Sequence, residues 1–91
     1  MKQTGVYILQ SLKNGFYYTG STDNIENRLT IHNKGWVKAT KNMRPLLLMR
    51  FVSCNSITEA KSLEYRLKKY KRRDILERVI EDGIFPWDYT K

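Results

Sequence analysis

The sequence predicts one small α/β domain: a three-stranded sheet, mixed or antiparallel, over residues 5 to 10, 15 to 20 and 46 to 52, flanked by helices. Three observations predict it. An Asn14-Gly15 pair separates two short strand-like runs, the strongest short-range signal for a hairpin. Past Gly20 the pattern changes period, and Ile25, Leu29 and His32 recur at helical spacing. After Pro45 comes an apolar run, Leu46 to Val52, long enough for a third strand.

Each element has its own reason. With Asn14 and Gly15 at the turn centre, Lys13 opposes Phe16 and Ser11 opposes Tyr18. Because facing alternates along a strand, Tyr7, Leu9, Ser11 and Tyr18 share one face, and Val6, Ile8 and Tyr17 take the other. Asp23 with Glu26 reads as the cap of the first helix, and Asn33-Lys34-Gly35 as its end. Arg28 and His32 are four residues apart, one turn above each other at the edge of the apolar stripe, where they can point into a cleft.

Trp36 to Arg44 is basic and loop-like, and the Leu46 to Val52 run reads as a strand covered on both faces. Ser56 with Glu59 repeats the capping signature before a stripe of Ala60, Leu63, Leu67 and Tyr70 that runs to about Lys71. Glu64 borders that stripe. Asp74 to Asp82 forms a last helix with Ile75, Leu76, Val79 and Ile80 inward and Gly83 as its stop. The tail, Ile84 to Tyr89, is apolar enough to fold back on the domain.

At 91 residues the chain holds one modest core, so residues 1 to 91 are read as one domain with the C-terminal helix and tail at 73 to 91. A formal charge of +8 favours a polyanionic partner: nucleic acid first, an acidic membrane surface second. Cys54 is the single cysteine, which excludes an internal disulfide, and it reads as a small core residue. No run approaches the roughly 20 apolar residues of a membrane span, and no signal-peptide core is present, so the expected location is cytoplasmic, with no membrane partner.

From Asn27 to Thr58 there is no acidic residue, while Arg28, Lys34, Lys38, Lys41, Arg44 and Arg50 are basic. A second block, Lys61 to Arg73, holds Lys61, Arg66, Lys68, Lys69, Lys71, Arg72 and Arg73 around Tyr65 and Tyr70. A charge run is usually a solvated face, yet one this unbalanced suits a phosphate backbone bound without regard to sequence.

Taken by type, the candidate site residues each have a plain reading. Glu64 pairs with Lys68 on a helix surface, Arg28 is a solvated arginine near Asp23 or Glu26, His32 is a satisfied core residue, and Tyr7 and Tyr18 pack a sheet. Their order along the chain argues otherwise. Gly5-Val6-Tyr7, ten intervening residues, Tyr18-Thr19-Gly20, then Arg28, His32, Asn33, Gly35, Thr40, Pro45 and Glu64 together resemble the GIY-YIG nuclease domain, over roughly residues 4 to 72. The chain looks most similar to small stand-alone bacterial members, and more distantly to the nuclease domains of excision-repair enzymes.

The resemblance implies metal-dependent endonucleolytic hydrolysis of DNA, structure-directed or weakly specific. On that pattern Glu64 holds Mg²⁺ or Mn²⁺, Arg28 stabilises the phosphorane charge, Tyr7 activates water with help from His32, and Tyr18 positions water or phosphate. A phenol is a poor base at neutral pH unless positive charge lowers its pKa, a task for Arg28 and the metal that His32 could share. Many members carry an asparagine beyond the metal glutamate; here none follows Asn55, and Lys68 or Lys69 is the candidate replacement. That gap motivates the alternative, a non-catalytic nucleic-acid-binding module on the same scaffold. A peripheral binder of membrane or acidic protein is a third reading. One site per chain means that cutting both strands takes a homodimer or two visits, and specificity is left to a targeting partner protein.

Overall fold

Val6, Tyr7, Ile8 and Leu9 are each at most 1% exposed, so β1 (Gly5–Ser11) is covered on both faces and on both edges. It is the middle strand. β2 (Tyr17–Thr22) and β3 (Leu46–Ser53) flank it, both antiparallel, in the order β2-β1-β3. The strand expected to be covered on both faces is therefore β1 and not β3. Only Leu46 of β3 is buried, and Leu47 is 49% exposed. Hydropathy alone does not reveal which strand has two neighbours. The structure, a computed structural model, describes residues 3–70 and 72–88, so Lys71 and Tyr89, placed above at a helix end and in the tail, lie outside the described residues.

The hairpin pairs Leu9 with Tyr18 and Gln10 with Tyr17, two residues away from the expected register. Ser11 is the cause. Its hydroxyl accepts hydrogen bonds from the backbone N–H of Lys13 and Asn14 (both 3.1 Å), and its carbonyl accepts from Gly15, which closes a four-residue loop instead of a two-residue turn. A slip of two preserves facing, so Tyr7, Leu9 and Tyr18 still share one side.

The first helix, α1 (Ile25–Asn33), is capped by Asn24 and not by Asp23: the Asn24 side chain accepts from the backbone N–H of Asn27. It ends in a Schellman pair, Gly35 N–H to His32 and Trp36 N–H to Ile31, with Gly35 at φ +80°. Asn33 then donates to and accepts from the backbone of Leu46 (3.1 and 2.9 Å), fastening α1 to the start of β3. Between them lies a 3₁₀ turn, Lys41–Met43.

Helix α2 (Ile57–Lys68) starts at Ser56, which accepts from Glu59 N–H, and α3 (Arg73–Asp82) stops at Gly83 with φ +71°. Arg50 donates to the carbonyls of Ile80 and Glu81 at the end of α3, so this cation of the acid-free segment caps a helix and does not face a phosphate. The tail folds back as expected. Phe85 is buried and stacks on Trp87 at 4.8 Å, and Arg66 lies over the same indole at 4.1 Å.

The sheet thus separates two layers. Val6 and Ile8 pack with Ala60, Leu67, Val79 and Phe85 under α2 and α3, with Cys54 half-buried at the margin. Tyr7 and Leu9 pack with Ile25 and Leu46 under α1. β2 and β3 are the two edges of the sheet, and α2 packs against β2.

Candidate active site

Tyr7 reaches the site because Gly20 lies opposite it on β2: a Cβ on Gly20 would overlap the phenol ring and its hydroxyl. The hydroxyl sits 2.9 Å from His32 Nε2 and accepts from Arg28 Nε at 3.3 Å. His32 Nδ1 is 2.7 Å from the hydroxyl of Thr40, which itself lies 3.5 Å from the Val37 carbonyl. His32 and Thr40 are both fully buried. The hydrogen assignment that satisfies every contact puts the imidazole proton on Nδ1: Thr40 donates to Val37 and accepts from His32, leaving Nε2 to accept from Tyr7. Tyr18, half-buried, presents its ring edge-on to His32 at 5.3 Å.

Burial, with the positive charge of Arg28 second, lowers the His32 pKa to about 4, so the ring is neutral at neutral pH. Tyr7 is displaced upward. Burial raises its pKa by more than the hydrogen bond and charge of Arg28 lower it. Of the two charges expected to make Tyr7 more acidic, Arg28 and the metal, Arg28 by itself does not outweigh burial.

Glu64 comes from the other layer. α2 packs beneath the sheet, yet Ser21 on β2 donates to Glu64 Oε1 at 2.5 Å and draws the carboxylate to the sheet edge, where its charge acts on both Tyr7 and Arg28. Lys68 Nζ lies 2.5 Å from Oε2 and 5.5 Å from the Tyr18 ring centre. The plain pairing of Glu64 with Lys68 is therefore present, and it is part of the cleft. All five expected residues, Tyr7, Tyr18, Arg28, His32 and Glu64, gather at this edge. Two that the sequence reading gave no chemical task, Ser21 and Thr40, hold Glu64 and His32 in place. An N-terminal glycine neighbour is no signal for Ser21, and only the chain order around His32 pointed to Thr40.

The implied metal can be tested against these donors. Among the described residues no group of three or more His, Cys, Asp or Glu side chains gathers, so Glu64 offers a single carboxylate. One oxygen ligand suits Mg²⁺ or Mn²⁺, which keep waters and take substrate phosphate for the rest. A cation already rests on that carboxylate, in the form of the Lys68 ammonium. The donor set fits.

The basic residues divide. Lys38 and Lys41 are exposed around the acid-free loop, Lys34 lies over the exposed ring of Trp36 at 4.9 Å, and Arg44 donates to the Lys41 carbonyl. In the second block Lys69 lies over Tyr65, Arg72 pairs with Asp74, and Arg73 pairs with Glu77. Beside Tyr18, a groove of about 530 Å³ runs between Phe16, Tyr17, Leu67 and Leu76 with Lys68, Arg72 and Arg73 at its rim.

Comparison with known families decides what this constellation belongs to. The model of the GIY-YIG catalytic domain matches residues 3–77. The chain belongs to the GIY-YIG family. Its relatives include a UPF0213 protein of Clostridium perfringens, 37% identical over 87 residues that cover 94% of this chain and 92% of the relative. A UPF0213 protein of Staphylococcus haemolyticus is 38% identical over 77 residues, covering 84% and 93%. One from Bacillus licheniformis is 41% identical over 78 residues, covering 84% and 77%. No solved structure matches. Membership in a nuclease-domain family supports a nuclease acting on nucleic acid. Among the described residues, no helix of this GIY-YIG domain is long and apolar enough to cross a membrane.

Proposed function

We propose that this GIY-YIG domain is a divalent-metal-dependent endonuclease that hydrolyses DNA phosphodiester bonds. One observation carries the reading beyond family membership: the Tyr7 hydroxyl is held between the guanidinium of Arg28 and a neutral imidazole with a bare Nε2.

That arrangement offers a proton path. An attacking water gives its proton to the Tyr7 oxygen while the phenol proton passes to His32 Nε2; the water oxygen forms its bond to phosphorus as the bond from phosphorus to the leaving sugar oxygen breaks, and that oxygen takes its proton from solvent. A ring with so low a pKa is a weak base in the free protein. Negative charge building on the phosphorane beside Arg28 offsets the repulsion and desolvation that keep His32 neutral, so its basicity rises as the transition state forms. Arg28, donating through Nε, leaves its other N–H groups to the phosphate oxygens. Tyr18 orients water or phosphate. Glu64 would hold a divalent cation, which would supply positive charge to the reaction.

The test is cleavage of labelled duplex, single-stranded and branched DNA at low salt with Mg²⁺, Mn²⁺ or EDTA, comparing wild type with Glu64→Ala. Cutting that needs metal and disappears in Glu64→Ala is the expected result. Salt-dependent binding with no cutting in any metal would replace this reading with the non-catalytic binding module.

A further inference from the structure

We propose that Lys68 is a displaceable cap on Glu64: it holds the carboxylate in the free protein, yields it to a divalent cation, and its released ammonium then serves the nucleic-acid phosphate. The inference rests on the reading of Glu64 as the cation ligand. Four observations carry it. Ser21 donates to Oε1, and Lys68 Nζ lies on the other oxygen, Oε2. The two residues are four apart on α2, so the contact requires no rearrangement of the helix. The Lys68 side chain is 48% exposed, against 20% for Glu64, so it can leave into solvent without uncovering the core. Finally, Lys68 also borders the groove beside Tyr18, where Arg72 and Arg73 already have carboxylate partners of their own.

Two cations cannot share one carboxylate oxygen without repelling each other, so Lys68 and the metal compete. An exposed ion pair is weak, which makes the cap easy to lift. By linkage, metal binding that frees Lys68 for phosphate also makes phosphate binding favour the metal. A chain without the family asparagine would thereby gain a phosphate contact only when the metal is in place.

Mn²⁺ binding to the full chain without nucleic acid, followed by the loss of the free Mn²⁺ signal in electron paramagnetic resonance, reads this competition directly. Lys68→Met should bind Mn²⁺ about two- to fivefold more tightly than wild type, while Lys68→Arg, which keeps the charge, stays near wild type. Equal or weaker binding by Lys68→Met, with binding lost in Glu64→Gln, would overturn the cap and leave the nuclease reading intact. Unchanged Mn²⁺ binding in Glu64→Gln would instead remove Glu64 as the ligand, and the cap with it.

Discussion

Val6 and Ile8 point from β1 into a layer of aliphatic and aromatic groups, whereas Tyr7, between them, points into a layer where buried His32 and Thr40 are linked by hydrogen bonds. The two layers are stabilised by different physics. Under α2 and α3, burial is non-directional, and any side chain of the right volume contributes about 25 cal/mol per Å² of apolar surface covered. Under α1, each polar atom must find its partner, because an unpaired one loses roughly 1–3 kcal/mol. Among the described residues no buried side-chain polar atom lacks a partner. The comparison teaches that one strand can sort stability from chemistry by alternation, with Val6 and Ile8 facing the packing under α2 and α3 and Tyr7 the site, beside the apolar Leu9.

The comparison breaks most visibly at Arg28. Arg28→Ala should slow single-turnover cleavage by about 10²–10³-fold while leaving thermal stability near wild type, since Arg28 is half-buried and its hydrogen bond to Tyr7 is a long one. Leu67→Ala should do the reverse. This residue is 2% exposed in the packing layer, and its truncation should lower unfolding free energy by about 2–5 kcal/mol, with the cleavage rate per folded molecule preserved.

The pH dependence of stability sharpens the contrast. The His32 pKa is about 4 in the folded chain, below its ordinary value of 6.5. Between those values the unfolded chain binds more protons, so stability should fall as pH drops from about 6.5 to about 4, by at most about 3 kcal/mol. Subtracting the profile of His32→Asn from that of wild type isolates this share; identical profiles would contradict a neutral buried His32. The smallest effect belongs to the exposed loop. Lys38→Ala should leave stability within about 0.5 kcal/mol yet reduce the salt slope of DNA binding by about 1.

Much of this was legible because it depends on period. Alternation placed Tyr7, Leu9 and Tyr18 together even though the register was two residues off, and four-residue spacing put Arg28 above His32. What escaped depends on side chains that satisfy backbone or reach across chain separations. Ser11 rebuilt the hairpin loop, Asn24 took the cap from Asp23, and Arg50 left the basic surface to close α3. Likewise, no local pattern could say that Ser21 would hold the Glu64 carboxylate, since the two are 43 residues apart. The direction in which Tyr7 is displaced escaped for a related reason: the sequence shows a cation nearby but not the burial that outweighs that cation alone.

The most direct test of the division takes two neighbours on β1. Tyr7→Phe removes one oxygen from the site layer, and Ile8→Ala removes three carbons from the packing layer; both are measured for single-turnover DNA cleavage with Mn²⁺ and for unfolding by denaturant. The account predicts that Tyr7→Phe loses about 10²–10⁴-fold in cleavage while remaining folded, and that Ile8→Ala loses about 2–5 kcal/mol of stability while its folded fraction still cuts at the wild-type rate. Cleavage within a few-fold of wild type in Tyr7→Phe would contradict it.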